Sequence, residues 1–113
     1  MSANRITADS PPLPFDLTRA ERRLREQLGR SEEQLLGLES VLTDMTRGHD
    51  TIQEDLDSTR LVIDSIREDL RRIQSALARV ADGTYGRCVT CGTTIRNERL
   101  EALPMVAHCT SCA

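Results

Sequence analysis

Two long stretches of the chain repeat apolar side chains at alternating steps of four and three residues. The first runs through Leu17, Glu21, Leu24, Leu28, Ser31, Leu35, Leu38, Leu42 and Met45. The second runs through Ile52, Leu56, Thr59, Ile63, Ile66, Leu70, Ile73, Leu77 and Val80. Such a repeat is the a/d seam of a coiled coil, so it predicts two amphipathic helices. Each seam has the same number of positions, and at 1.5 Å per residue each arm is roughly 43 Å long. Glu21, Ser31 and Thr59 weaken the seam locally, and Gly29 and Gly37 each cost about 1 kcal/mol against Ala.

Between the arms lies Thr46-Arg47-Gly48-His49-Asp50-Thr51. Gly48 suits the end of one helix, and Asp50 or Thr51 can cap the next. So short a connection folds the arms back as an antiparallel hairpin with its tip near 46–51. A mirror-symmetric register sets Met45 against Ile52, Leu35 against Ile63 and Leu24 against Ile73. An intermolecular coiled coil is the alternative packing. Leucines at this spacing are packing and carry no chemistry. Ion pairs such as Glu21–Arg25 and Glu68–Arg72 have the favourable i,i+4 order. Residues 1–14, with Ser10, Pro11, Pro12 and Pro14, read as a disordered lead-in. The hairpin occupies 15–82, its first turn capped by Asp16 or Thr18. It stops at Asp82-Gly83, where glycine supplies a C-terminal cap.

Composition fits a rod better than a globule. The chain has 113 residues, 29% of them charged, with one Phe, one Tyr and no Trp. A compact core of this size uses more large side chains. The net charge of −3 lacks the basic excess of a general nucleic-acid binder. No apolar run approaches the ~20 residues that span a bilayer. All fifteen basic residues are Arg, which a GC-rich genome explains without function.

The chemistry is confined to 83–113, where a small metal-stapled module is expected. Cys88 and Cys91, then Cys109 and Cys112, read C-x2-C, a gap of seventeen residues, then C-x2-C. Four thiolates at this spacing close a tetrahedron around one structural Zn²⁺, and all four cysteines are used. Gly92 relieves a left-handed turn beside the first pair. Two disulfides, or a redox pair, are the alternatives. Disulfides suit secreted chains, and no secretory signal is visible. Between the pairs, Thr93-Thr94-Ile95 reads as extended and Asn97 to Leu103 as a brief helix stopped by Pro104. The hairpin, having its own seam, is expected to fold separately from this module.

The string Ala76-Leu77-Ala78-Arg79-Val80-Ala81-Asp82-Gly83-Thr84-Tyr85-Gly86-Arg87-Cys88 leads into Cys91-Gly92. Ile95, Arg99-Leu100-Glu101-Ala102 and Pro104 follow, and then the second cysteine pair. This closely resembles the DksA/TraR family of C4 zinc-finger transcription regulators. The local match covers Ala76 to Cys112. The resemblance implies a mainly α protein, a two-helix coiled-coil hairpin followed by a C4 finger, in the bacterial cytoplasm. It implies a partner, RNA polymerase, whose secondary channel the hairpin enters to modulate initiation, often with the alarmone ppGpp. It implies no direct DNA binding. From the residues themselves, no membrane association, no catalysis and a monomer are expected.

One departure stands out. The family's acidic tip motif, Asp-x-x-Asp-x-Ala, would fall near Met45 to Asp50, and it is absent there. The residues left as polymerase-contact candidates at the tip are Asp44, Arg47, His49 and Asp50. Arg87, Arg96 and Arg99 are the candidates on the module. Tyr85 is expected to pack the module on the hairpin base, and Glu101 to fold onto Arg99 or onto that base. His108, beside Cys109, is not needed as a ligand. The diverged tip leaves a second class of function, an adaptor that docks a different protein. An enzyme fits poorly, because four thiolates leave no open metal position and no nucleophile–base pair is visible.

Overall fold

In a computed structural model of the protein, the described residues are 17–48 and 52–113. They form helix α1 (Leu17–Arg47), helix α2 (Gln53–Asp82) and the short helix α3 (Asn97–Ala102). The two long helices pack against each other as a hairpin, and the module after α2 folds back on its open end. The molecule measures 70 × 28 × 19 Å with a radius of gyration of 18.9 Å. A compact chain of this length would have about 13 Å, so the rod is real and dominates the shape.

Both helix ends of the hairpin follow from local chemistry. At the tip, the Gly48 N–H donates to the carbonyls of Asp44 and Met45 at 3.2 Å each, closing the last turn of α1. At the base, Gly83 takes the left-handed conformation (φ 85°) and donates to the Arg79 carbonyl. Thr84 and Tyr85 donate to that same carbonyl at 3.0 and 3.1 Å, so three N–H groups share one acceptor. Asp82 fixes the exit further, accepting from the Thr84 N–H and hydroxyl at 3.0 and 2.6 Å.

Of the two caps expected for α1, Thr18 lies inside the helix and Asp16, which precedes it, is outside the described residues. The start of α2 differs from expectation. Ile52 holds the N-cap position of α2 with no side-chain cap, and the expected caps Asp50 and Thr51 are likewise outside. Ile52 is therefore 62% exposed and is not a seam residue.

The register also differs. Met45 Sδ lies 3.7 Å from Thr59 Oγ1, and Glu39 pairs with Arg67 at 2.8 Å. Met45 thus meets a residue seven positions beyond Ile52. Helical side chains lean toward their own N-terminus. On α1 they lean toward the base, and on α2 toward the tip. A side chain of α1 therefore meets an α2 residue rooted nearer the base than mirror symmetry suggests.

Burial is concentrated at the base. Leu24 and Ala76 are fully buried, with Ala20 and Ile73 nearly so. They form one core with Tyr85, Cys88, Ile95 and Leu100 of the module. The hairpin and the module are not separate there: they share their only sizeable core among the described residues. Toward the tip, Leu35, Leu38, Leu42, Leu56 and Thr59 are only half-buried.

Two stability predictions follow from this gradient. Leu24→Ala removes a fully buried side chain from the shared core and should cost about 2–5 kcal/mol in chemical denaturation. At Gly37, an added Cβ would meet nothing within 4 Å. Gly37→Ala should therefore stabilise the fold by about 0.5–1 kcal/mol, through helix propensity alone.

Candidate metal centre and the cavity beside it

Two tight turns carry the cysteines. In the first, the Gly92 N–H donates to the Cys88 carbonyl at 2.9 Å, with Gly92 at φ 78°. In the second, the Cys112 N–H donates to the Cys109 carbonyl at 3.1 Å. A short ladder joins the flanks: Arg87 pairs with Thr94, and Ile95 donates to the Gly86 carbonyl at 2.7 Å. Val89 donates to the Ala107 carbonyl at 2.9 Å, which ties the first turn to the segment before the second.

These bonds bring all four Sγ atoms within 4.8 Å of one another. Cys91 and Cys109 sulfurs are 3.6 Å apart. A tetrahedral Zn²⁺ with Zn–S of about 2.3 Å needs sulfur–sulfur edges of about 3.8 Å. The donor set and its spacing fit one structural zinc, held by Cys88, Cys91, Cys109 and Cys112. Among the described residues no His or carboxylate joins this group. His108 instead uses its carbonyl to accept from Arg99 Nε at 3.0 Å.

The thiols are electrostatically unequal. Backbone N–H groups of Cys109 and then Cys91 hold the Cys88 thiol down to about 5. The neighbouring thiols push Cys112 up to about 12, Cys109 first and then Cys88 and Cys91. At Cys109, burial raises the value, but hydrogen bonds from Cys112 and Cys91 outweigh it and the net shift is downward. Charge on one sulfur thus suppresses charge on the next, and a dication removes the conflict by taking all four as thiolates.

Tyr85 joins the module to the rod. It is buried, and its hydroxyl donates to the Pro104 carbonyl at 2.7 Å. Burial raises its phenol above the ordinary value, the Arg23 and Arg79 guanidiniums acting against it. Glu101 at the end of α3 reaches α1, lying 3.6 Å from both Arg19 and Arg23. It folds onto the hairpin base and not onto Arg99. These pairs are half exposed, so they orient more than they stabilise.

The sequence reading did not single out Arg79. It is buried, donates to Ser75 Oγ at 2.8 Å and reaches the Val106 carbonyl at 3.4 Å. Burial acts first and lowers its affinity for the proton, while Tyr85 and Asp82 partly restore it. Arg79 lies beside a cavity of about 480 Å³ between α2 and residues 103–108. Arg71, Arg72 and His108 line its polar side, and Leu103, Met105 and Val106 its apolar side. One available signal was spacing: Arg79 follows Ala76 by three, on the flank of the seam that faces the module.

The other candidates lie apart. Arg87 and Arg96 are exposed, and Arg96 is 3.9 Å from Glu98. Asp44 and Arg47 are exposed at the far end of α1, and His49 and Asp50 fall outside the described residues. The fold therefore gathers the cysteines into one site and leaves Asp44 and Arg47 at the opposite end of the rod.

Residues 83–113 match the family described as the prokaryotic dksA/traR C4-type zinc finger. The chain is 46% identical over 44 residues to an uncharacterized protein of Aquifex aeolicus (strain VF5), covering 39% of this chain and 30% of that one. It is 41% identical over 56 residues to general stress protein 16O of Bacillus subtilis (strain 168), covering 50% of this chain and 34% of that one. The match thus spans about a third of the length of these relatives. Among solved structures, transcription factor DksA2 from Pseudomonas aeruginosa superposes with a TM-score of 0.77 at 24% identity. That superposition covers 85% of this chain and 78% of DksA2, and it shows a shared fold.

The zinc assignment predicts a proton balance. In the metal-free site the Cys112 thiol is held above its ordinary value by its neighbours and the Cys88 thiol below it by backbone N–H groups, so Cys112 holds its proton the more firmly. Zinc binding takes Cys112 as thiolate, so calorimetry in buffers of different ionisation enthalpy should show at least one proton released. Acid works in the opposite direction: protons compete with zinc for the thiolates, so zinc should be lost as pH falls. No proton release would contradict the assignment. Because Cys88 belongs to the shared core, Cys88→Ser should bind well under one equivalent of zinc. It should also lower the melting midpoint of the helices themselves by about 10 °C or more.

Proposed function

We propose that this protein of the DksA/TraR family, identified by its C4 zinc finger and supported by its DksA-like fold, is a regulator that binds RNA polymerase. In this reading the hairpin enters the secondary channel of the enzyme and modulates initiation, and the zinc module rests at the channel rim. The observation that carries it is a shape joined to a motif. A rod 70 Å long and under 30 Å across ends in a dksA/traR finger that shares the rod's core. A narrow two-helix probe can enter a channel that excludes a globule, and a wide end limits its depth. The zinc is a staple, since four thiolates saturate it and leave no position for a substrate. The protein acts without catalysis of its own, in the bacterial cytoplasm.

Tip chemistry sets this chain apart. The Asp-x-x-Asp-x-Ala motif is absent, so Asp44, Arg47, His49 and Asp50 are the groups that would approach the polymerase active site. Arg87 and Arg96, being exposed, are the module's contact candidates. Arg99 is committed to the His108 carbonyl and acts by holding the second cysteine turn. The effector ppGpp would find guanidinium donors for its phosphates in the arginine-lined cavity beside α2. The diverged tip also favours a second reading, an adaptor for a different protein complex.

Binding to the polymerase separates the two. Core RNA polymerase mixed with the protein at micromolar concentrations should co-elute with it. A photo-cross-linker attached at Asp50→Cys should label residues inside the channel. Absence of co-elution would remove the polymerase reading, and co-elution with cross-links confined to the outer surface would remove the channel.

A further inference from the structure

We infer that the grip of the hairpin on its partner is made by the distal half of the shaft, through aliphatic side chains set in an acidic field. The partner surface is therefore an electropositive protein groove with apolar hollows. This inference rests on the polymerase reading and adds to it the part of the rod that binds and the chemistry of the surface it meets.

Two independent distributions coincide. The first is exposed apolar area. Single exposed leucines mean little, but here they are segregated. Within the two long helices, the exposed large aliphatics are Leu36 (68%), Val41 (47%), Leu61 (69%) and Val62 (48%), with Leu17 (39%) at the first position of α1. The first four belong to the tip half of the hairpin. Apart from Leu17, the base half places its large apolar residues in the shared core or against it. At 100° per residue, Val41 and Val62 flank the seam, each one position before a seam residue, and Leu36 and Leu61 lie farther round. Leu36 and Leu61, each more than two-thirds exposed, contribute little to the packing of the hairpin.

The second is charge. Along 31–47 and 53–66, eight carboxylates face two arginines, Arg47 and Arg60. Along 17–30 and 67–82, nine arginines face five carboxylates. The rod is thus an electric dipole, acidic at the tip half and basic at the base. Among the described residues, Glu32, Glu33 and Glu54 have no ion-pair partner. An acidic shaft repels phosphate backbones and anionic lipid surfaces, which excludes nucleic acid and membrane as its partner. Exposed leucines within that field call for a partner with aliphatic hollows, and the field calls for cationic walls. Field and shape together also orient the approach, tip first, and raise the association rate at low salt.

The test compares two variants of the full-length protein against core RNA polymerase. Leu36→Gln with Leu61→Gln removes the aliphatic contacts while keeping good helix formers at exposed positions. Circular dichroism should show unchanged helix and melting. Binding should weaken tenfold or more, chiefly through faster dissociation. Glu32→Gln with Glu33→Gln and Glu54→Gln removes three charges. It should slow association severalfold and flatten the dependence of the on-rate on salt. If the wild type binds the polymerase and both variants bind equally well, the shaft is not the grip, although the polymerase reading stands. If the wild type does not bind at all, both fall. Loss of self-association in the leucine variant, with polymerase binding unchanged, would assign the face to a second copy of the chain and overturn the inference.

Discussion

The shared core at the open end of the hairpin is the constraint on which the rest of the molecule depends. Tyr85 is buried in it, together with Leu24, Ile73 and Ala76 of the arms and Ile95 and Leu100 of the module. Its hydroxyl is satisfied by the Pro104 carbonyl, so the burial carries no orphaned polar group. The chain has one Phe and one Tyr, and Tyr85 is the aromatic side chain of this core. Around it the turn after Gly83 must be tight, because three N–H groups converge on the Arg79 carbonyl. Zinc then fixes the far side of the same core through Cys88, which is itself buried in it.

That arrangement explains a small module with few large side chains. Below about 40 residues a core rarely suffices without a metal or cross-links. Residues 83–113 meet the requirement twice, by four thiolates on one ion and by borrowing apolar surface from α1 and α2. Arg79 belongs to this economy as well. Its stem lies between rod and module, and its guanidinium bonds to Ser75 and the Val106 carbonyl. A buried guanidinium is tolerable only with such partners.

The heptad steps made the helices, their lengths and the hairpin legible, because a seam repeats and repetition is visible without coordinates. The Gly83 and Gly92 turns were legible for a similar reason: a left-handed residue points to glycine. The metal cluster was legible from spacing. The register was not. Mirror pairing of seam residues ignores the lean of helical side chains toward their own N-terminus, and Met45 against Thr59 shows the consequence. Arg79 was missed because charge usually marks the solvated face, and only the fold shows that the module closes over it. The sharing of one core by hairpin and module was also hidden. A seam looks self-sufficient in sequence, but the sequence does not reveal how much area each position buries.

The gradient of burial along the rod gives a physical order to its parts. Leu24, Ile73 and Ala76 are sealed at the base, Ile63 near mid-rod is buried as deeply as Ile73, and the seam beyond Ile63 toward the tip is only half-buried. Two helices alone cannot enclose a seam: each covers one side of the other, and both flanks face water. At the base the module supplies the missing cover. Toward the tip nothing in the described chain does, and that is where Leu36, Val41, Leu61 and Val62 are exposed. Local stability should therefore decline from base to tip, with opening free energies falling in the same order. A rod anchored at one end and unfinished at the other is suited to having its burial completed by whatever receives it.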